Sequence, residues 1–489
     1  MARLSAHRSE PITYNLLPRP KNLKRKTYNL KLITNRGSSL RENIKSRLKE
    51  DKINFLLVQF VDLSGAAKVK MCPIEALDTL IDEGAGFAGA ALGGFGQGPN
   101  SPDMMARIDL TTYTPLPWQP GIARFVGDLY VQGEAYPYCP RLNLKRALNA
   151  AAERLGFTLN VGLEPEHFLI TRKSDGSVQP WDPANIDHLA KPCYDFKGIS
   201  SALGYLQEIV GYCNQLGWGA YQADHEDANG QYEVNFQYAD ALTTADRYTF
   251  FKMMTSQVAP KYGAVATHMP KPFADRTGSG AHMHYHIAGR DAENLFASDE
   301  DNRGMGLSKL AYQFLGGILK HAPALCAILS PTVNCYKRLQ VGEGLYSSRS
   351  GFTWTPAFVS YGGNNRTQMQ RVCGPGHIED RTVSAGCNPY LVFAAYLAAG
   401  LDGIEQNRDP GEPNHENLYE LTPLAIRKRG MKALPQTLQE ALFELERDPV
   451  VLNSLGPIGD EFLDHKRREW IDYHGSVSAW EIEHYLTRF

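Results

Sequence analysis

No run of about 18 consecutive apolar residues occurs in the 489 residues, so no membrane-spanning helix is expected. The longest apolar stretch, residues 390–404, carries Asp402 and two glycines and reads as a buried helix. None of the eight cysteines forms a C-x-x-C pair. In a chain this long they read as reduced thiols of a cytoplasmic protein, not as a disulfide framework or a zinc knuckle. Excess charge is missing too: a net charge of −2 argues against bulk electrostatic binding to nucleic acid or to an anionic membrane. There is no G-x-x-x-x-G-K-[ST] loop, which excludes a P-loop. Gly84-Ala85-Gly86-Phe87-Ala88-Gly89 does match G-x-G-x-x-G. That fingerprint needs a strand before it and a helix after it, whereas here a helical pattern precedes and more glycine follows. Acids are scarce at the start, where Glu10 is the only one before Glu42 amid many Lys and Arg. With no apolar h-region and no amphipathic helix, residues 1–40 read as a disordered tail or an upstream start rather than a targeting peptide.

The length suggests two domains, and the punctuation places the boundary near Tyr136-Pro137 and Pro140-Arg141. Residues 41–139 then form a small N-terminal domain and 140–489 a large one. The first contains a charged helical pattern over 40–50, a hairpin from 53–60 and 68–71, and a helix over 73–83. In the second, 158–170, 231–238 and 282–288 alternate like half-exposed strands. Residues 199–216, 307–321, 389–404 and 436–446 read as helices, with another starting near Leu142. Strands and helices do not alternate strictly, which favours an α+β fold with a largely antiparallel sheet.

Four segments carry chemistry. In Gly162-Leu163-Glu164-Pro165-Glu166-His167-Phe168, two carboxylates lie two apart and face the same way on a strand. They repel unless a cation joins them; a solvated acidic face is the other reading. Around Asp224-His225-Glu226-Asp227-Ala228-Asn229-Gly230, a strand from Gln231 places Gln231, Glu233 and Asn235 on one face, and Glu226 can converge with Glu233. Behind Gly278-Ser279-Gly280, His282, His284 and His286 alternate along a third strand, which suits ligand or phosphate contacts better than core packing. Finally Tyr336-Lys337-Arg338, Asn364-Asn365-Arg366, Arg371 and Ile378-Glu379-Asp380-Arg381 supply arginine forks, suited to carboxylate and phosphate oxygens. Aromatic and small neighbours, among them Phe352, Trp354, Tyr361 and Gly362, suggest that these arginines line a pocket. Carboxylate-dominated sites favour Mg²⁺ or Mn²⁺, and metal with arginines is the apparatus of phosphoryl transfer.

In this order the motifs resemble the glutamine synthetase family, from about Ile53 to the C-terminus. The matching elements are Phe60-Val61-Asp62-Leu63-Ser64-Gly65 with Lys68, E-P-E, H-E with G-Q-Y-E, G-S-G-A-H-M-H, Y-K-R-L, N-N-R, I-E-D-R and Asn388-Pro389-Tyr390-Leu391. The resemblance implies a β-grasp-like N-terminal domain and a catalytic domain built on a curved antiparallel sheet. It implies ATP-dependent ligation of ammonia to the γ-carboxylate of L-glutamate through γ-glutamyl phosphate, a reaction of nitrogen metabolism. By the same resemblance, Glu166, Glu226 and Glu233 hold the metal nearest glutamate, and Glu164, His282 and Glu379 the one on the ATP phosphates. His284 sits by those phosphates, Arg338 and Arg381 with the Gly278 loop bind glutamate, and Arg366 and Arg371 face the transferred phosphoryl group. Asp62 reaches into a neighbouring subunit's site to bind and deprotonate ammonium. The implied assembly is a homo-oligomer of stacked hexameric rings, a dodecamer.

Three departures from the family pattern concern the nitrogen nucleophile. Ser384 stands where an Asp is usual, the 340–355 loop carries Glu343 as its only acid, and His286 replaces a small polar residue. The Asp224 to Gly230 segment resembles the branch that holds third-form, rhizobial-type glutamine synthetases and γ-glutamylmethylamide synthetases, so methylamine or another small amine is the alternative substrate. A His-x-His metallohydrolase leaves the arginines and Glu164/Glu166 unexplained, and a non-catalytic regulatory relative has no need of the full set. Tyr419 matches a position that some bacterial members adenylylate; a packing role is the simpler expectation.

Overall fold

The computed structural model describes residues 30–489, without the side chains of residues 30–38, 342, 343, 423 and 427. The first 29 residues of the expected tail lie outside the described residues. The chain divides into a unit Met1–Lys49 and a unit Glu50–Phe489. In the first, the short helix expected over 40–50 is the end of a longer one, α1 (Leu30–Glu50). Ile44 and Leu48, four apart on one face, are buried.

The second unit opens with a seven-stranded sheet. Its strands are β1 (Phe55–Val61), β2 (Ala67–Pro73), β3 (Ala85–Phe87), β4 (Met104–Ile108), β5 (Thr114–Pro115), β6 (Ile122–Val131) and β7 (Glu134–Ala135), ordered β2-β1-β6-β4-β3 along the main path. The β1–β2 hairpin is antiparallel and the β1–β6 pairing parallel. The helix expected over 73–83 is a 3₁₀ turn followed by α2 (Leu77–Asp82). The G-x-G-x-x-G segment is not a phosphate loop, because its middle is strand β3. Gly84, at φ +93°, lets the turn press on the Ala106–Arg107 backbone, where a Cβ would sit 2.6 Å from the Ala106 carbonyl oxygen.

A ten-stranded, mostly antiparallel sheet forms the larger part. It contains β8 (Thr158–Arg172), β9 (Val178–Pro180), β10 (Ala220–His225), β11 (Gln231–Phe236), β12 (Ala239–Asp240), β13 (Val265–Thr267), β14 (Ala281–Ala288), β15 (Tyr361–Gly362), β16 (Gln370–Gly374) and β17 (His377–Asp380). The main path runs β10-β11-β8-β14-β17-β16-β15, with β9, β12 and β13 also pairing to β8. Helices α3 (Pro140–Leu155), α4 (Phe196–Gln215), α5 (Ala241–Val258), α6 (Lys309–Leu329) and α7 (Pro389–Glu405) pack around it. They are followed by α8 (Pro423–Lys428), α9 (Leu438–Arg447), α10 (Pro449–Ser454), α11 (Ile458–Gly475) and α12 (Ala479–Tyr485). No described helix is long and apolar enough to cross a membrane. The fold is α+β, as the mixed element order predicts.

Helix α6 outruns its expected end at residue 321 and continues through Pro323. A proline inside a helix costs a hydrogen bond. The following Ala324–Leu329 segment is wholly buried, and that burial outweighs the loss. Helix α7 packs along α6, where a Cβ on Gly317 would collide with the Ala399 carbonyl. Its first turn follows Asn388, whose side-chain oxygen accepts from the Tyr390 amide. The Asn388 amide in turn donates to the carbonyls of Asp62 and Leu63 at 3.1 and 3.2 Å, which ties the Asp62 turn to the larger sheet's layer.

A second tie between the two sheets is ionic. Arg141 of α3 forks onto Asp246 of α5 at 3.0 and 2.9 Å and reaches Asp128 of β6 and Asp109 at 2.8 and 3.0 Å. Lys145 doubles the last two contacts. The guanidinium is only 3% exposed.

Candidate active site

The register of the larger sheet assembles the candidate residues on one face. Glu166 of β8 pairs with Glu233 of β11, and Glu164 of β8 with His282 of β14. His284 of β14 pairs with Glu379 of β17, which pairs in turn with Arg371 of β16. Because side chains alternate along a strand, these positions share a face, and Glu164, Glu166, Glu233, His282 and Arg371 line one cleft of about 470 Å³. Glu226, Arg338, Arg366, Arg381 and Gly278 also border it.

Two carboxylates directly opposite on neighbouring strands repel, and the local chemistry shows how that repulsion is managed. Glu166 accepts from the Gly280 amide and the Gln231 side chain, both at 2.9 Å. Glu164 pays for burial but accepts from His282 at 3.3 Å and lies 2.9 Å from His284 Nε2, so its carboxyl is held well below the usual range. Glu379, fully buried, lies between Arg381 at 2.6 Å and Arg371 at 2.8 Å. Burial again opposes its charge, but Arg381 first and then His282 and His284 prevail, leaving the carboxyl low.

Glu226 and Glu233 have no such cations. Burial first, and then the charges of Glu166 and Asp224, push Glu226 up to about 8. Burial and the charges of Glu164, Glu226 and Glu166 push Glu233 well above its ordinary value.

Three ligand sets have donor atoms within 4.8 Å of one another here: Glu164, His282 and Glu379; Glu166, Glu233 and His282; and Asp224, Glu226 and Glu233. Carboxylates with a single imidazole fit a hard divalent cation, and two carboxyls that resist ionisation supply the electrostatic demand for one. The grouping of Glu164, His282 and Glu379 is the expected one; Glu166 and Glu233 group with His282, and Glu226 and Glu233 with Asp224. The sequence reading missed Asp224, although it lies two residues before Glu226 and so shares its strand face.

Arg338 is 2% exposed. It donates to the carbonyls of Thr382 and Arg381 at 3.2 and 3.1 Å, with Nη2 at 3.4 Å from His282 Nε2. Arg381 also donates to the Trp354 carbonyl at 3.2 Å. The Gly278 carbonyl accepts from Gln231 at 3.2 Å, and Arg366 is exposed at the cleft's edge. The 340–355 loop reaches the cleft through Trp354, at φ +56°, whose indole donates to Asp227 at 3.0 Å. Glu343 belongs to a 3₁₀ turn, Gly342–Tyr346, and its side chain lies outside the described residues. Tyr194, Tyr221 and Cys193 complete the wall; the sequence reading missed these and Asp227.

Three candidates lie elsewhere. Asp62 does not line the cleft of its own chain; its carboxylate accepts from the amides of Ser64 and Ala66 at 2.9 Å and pairs with Lys68 at 3.0 Å. His286 packs on Asn160 and Tyr238. Tyr419 is buried, stacked on Phe352 with its hydroxyl on the Thr355 carbonyl at 2.9 Å, which is a packing position.

Comparison with known proteins places this geometry. The glutamine synthetase catalytic domain profile matches residues 137–485. A glutamate–methylamine ligase from Methyloversatilis universalis is 47% identical over 90% of this chain and 98% of its own. A glutamine synthetase from Rhizobium leguminosarum bv. phaseoli is 39% identical over 88% and 96%. A solved structure described as a GmaS/ADP complex superposes with a TM-score of 0.83 at 41% identity, covering 91% of this chain and 99% of that one. The chain belongs to the glutamine synthetase family and is an ATP-dependent carbon–nitrogen ligase.

Proposed function

We propose that this ligase joins methylamine, or a similarly small primary amine, to the γ-carboxylate of L-glutamate, in preference to ammonia. The observation that carries this reading is the 47% identity, along nearly the whole chain, with a glutamate–methylamine ligase, against 39% with a glutamine synthetase. The cleft wall supports it. Trp354, Tyr194, Tyr221 and Cys193 set apolar surface beside the acids, which suits an alkylammonium better than bare ammonium.

In this reading Glu166, Glu226 and Glu233, with Asp224 alongside, hold one Mg²⁺ or Mn²⁺, and Glu164, His282 and Glu379 another. Bound there, the metal supplies charge neutralisation for the transferred phosphoryl group. The protein's own groups do the rest. Arg338 and Arg381 with the Gly278 loop orient glutamate so that its γ-carboxylate attacks the γ-phosphorus of ATP. Arg366 and Arg371 balance charge on the moving phosphoryl group, and His284 contacts the nucleotide phosphates. The amine arrives protonated and passes a proton to a carboxylate, Asp62 of a neighbouring subunit or Glu343, before it displaces phosphate from γ-glutamyl phosphate. A homo-oligomer with sites between subunits follows from this use of Asp62, and the arrangement proposed for it is the stacked hexameric rings that the resemblance implies. Exposed apolar side chains on β2 (Met71) and near the C-terminus (Val477, Trp480, Leu486) support burial against further copies.

The test is phosphate release by the purified protein with ATP, Mg²⁺ and glutamate, comparing ammonium, methylamine and longer amines. A methyl group is worth about 1–3 kcal/mol in a fitted pocket, so kcat/KM for methylamine is expected to exceed that for ammonium by about tenfold or more. Preference for ammonium overturns the methylamine reading in favour of glutamine synthesis.

A further inference from the structure

The face that carries the carboxylates continues past them into residues of a different chemical character. On β17, His377 lies two positions before Glu379 and so on the same face. On β16, the register with β17 slips between Val372 and Gly374, leaving Cys373 as the extra residue of a bulge, a device that re-aims a side chain. The result is a cluster of His284, Cys373 and His377 from three adjacent strands, with donor atoms all within 4.8 Å of one another. His284 Nδ1 is 2.7 Å from His377 Nε2, a hydrogen bond between the two imidazoles that a shared cation would replace. The thiol is half-buried and His377 exposed, which leaves a path of entry from solvent.

We propose that His284, Cys373 and His377 form a binding site for a thiophilic divalent cation, Zn²⁺ in particular, distinct in its ligands from the set of Glu164, His282 and Glu379 but touching it through Glu164 and Glu379. Two imidazoles and a thiolate are a Zn²⁺ donor set, and three protein ligands leave the fourth tetrahedral position for water or an anion. Mg²⁺ does not compete for such a set. A second observation points the same way. The other ring nitrogen of His284, Nε2, lies 2.9 Å from a Glu164 carboxylate oxygen. The contact is ionic and lacks hydrogen-bond geometry; a carboxylate beside a metal-bound histidine raises its basicity. Binding converts the Cys373 thiol to thiolate, its proton passing to solvent.

The consequence for activity rests on the reading above. His284 is assigned there to the nucleotide phosphates, and Glu164 to their metal. A Zn²⁺ ion that takes up His284 withdraws it from the nucleotide, so Zn²⁺ is expected to inhibit in competition with ATP.

The experiment uses the full chain in excess Mg²⁺, as wild type, Cys373→Ser and His377→Asn. Co²⁺ serves as the spectroscopic probe and Zn²⁺ as the inhibitor. In wild type, Co²⁺ is expected to give a thiolate-to-cobalt charge-transfer band that Zn²⁺ bleaches and Cys373→Ser abolishes. Both variants are expected to keep activity with Mg²⁺ alone and to need more than about tenfold higher Zn²⁺ for inhibition, since even outer-shell losses cost about 10–100-fold in metal affinity. No charge-transfer band in wild type, or equal Zn²⁺ affinity in all three proteins, overturns the site. A band that Cys373→Ser removes, without competition between Zn²⁺ and ATP, upholds the metal site and counts against the nucleotide placement.

Discussion

Glu226→Gln is expected to stabilise the metal-stripped protein while disabling it as a ligase. Burial and the charges of Glu166 and Asp224 raise the Glu226 carboxyl from 4.5 to about 8. Between those two values the folded state holds a proton that the unfolded state has released, so stability falls as pH rises from the lower value towards the upper one. At about pH 7 the deficit is about 3 kcal/mol. Coulomb's law gives a similar figure: carboxylate oxygens of Asp224, Glu226 and Glu233 lie within 4.8 Å, and two unit charges at that distance repel by about 3 kcal/mol at an effective dielectric of about 20. Glutamine has the same shape and no charge, so it recovers most of this. Urea unfolding in chelator is expected to show a gain of about 2–3 kcal/mol at about pH 7 and under about 1 kcal/mol at about pH 5. Phosphate release with saturating Mg²⁺ is expected to fall by about 100-fold or more. A variant no more stable than wild type in chelator at neutral pH refutes the like-charge account of the cleft.

His321 of α6 bridges Asp448 at 2.6 Å and Asp402 at 3.0 Å. Burial lowers its basicity, but the two carboxylates prevail and raise it. A raised histidine contributes in full below its unfolded value of about 6.5 and fades as pH rises through the folded value. His321→Gln is therefore expected to cost about 2–3 kcal/mol near pH 6 and clearly less in alkaline buffer; a pH-independent loss in thermal scans contradicts this. Arg141→Met leaves Asp109, Asp128 and Asp246 without their shared cation and is expected to cost about 3–5 kcal/mol; an unfolding midpoint equal to wild type refutes the inter-sheet role. Asp62→Asn is expected to cripple use of the amine while ATP binding, followed by nucleotide titration, stays near wild type; unchanged turnover removes Asp62 from the mechanism.

Most of the cleft is legible in the sequence because strand periodicity acts locally. Glu164 and Glu166, Gln231 and Glu233, and His282 and His284 each declare a shared face by their spacing of two. What periodicity cannot supply is which strands adjoin. The resemblance implies Glu166, Glu226 and Glu233 for one ion; register adds that His282 is within reach of two carboxylate sets and that Asp224 lies opposite Glu233. Trp354 is expected as a pocket-lining residue, but Asp227 is not, because its bond to Trp354 joins segments far apart in sequence, with no local pattern to announce it. Helix α6 continues past its expected end at residue 321 and through Pro323, because the burial of residues 324–329 decides. Ser384, where the family usually has an acid, is buried, with its hydroxyl 3.3 Å from the Cys335 sulfur, a packing environment that its sequence neighbours do not disclose.

Strand β8 pairs with β9, β11, β12, β13 and β14, and this has a consequence for how the chain reaches its native state. The contact between Glu164 and His282 closes a loop of 118 residues, and Glu379 arrives later still in the chain. Loop closure must be completed before such pairings repay it. The β10–β11 hairpin holds Asp224, Glu226 and Glu233 together on its own, but the other two ligand sets each need strands far apart in sequence. Synthesis past β17 is required before the set of Glu164, His282 and Glu379 exists at all, so a nascent or partly folded chain that holds the hairpin's acids still lacks the groups that complete the cleft.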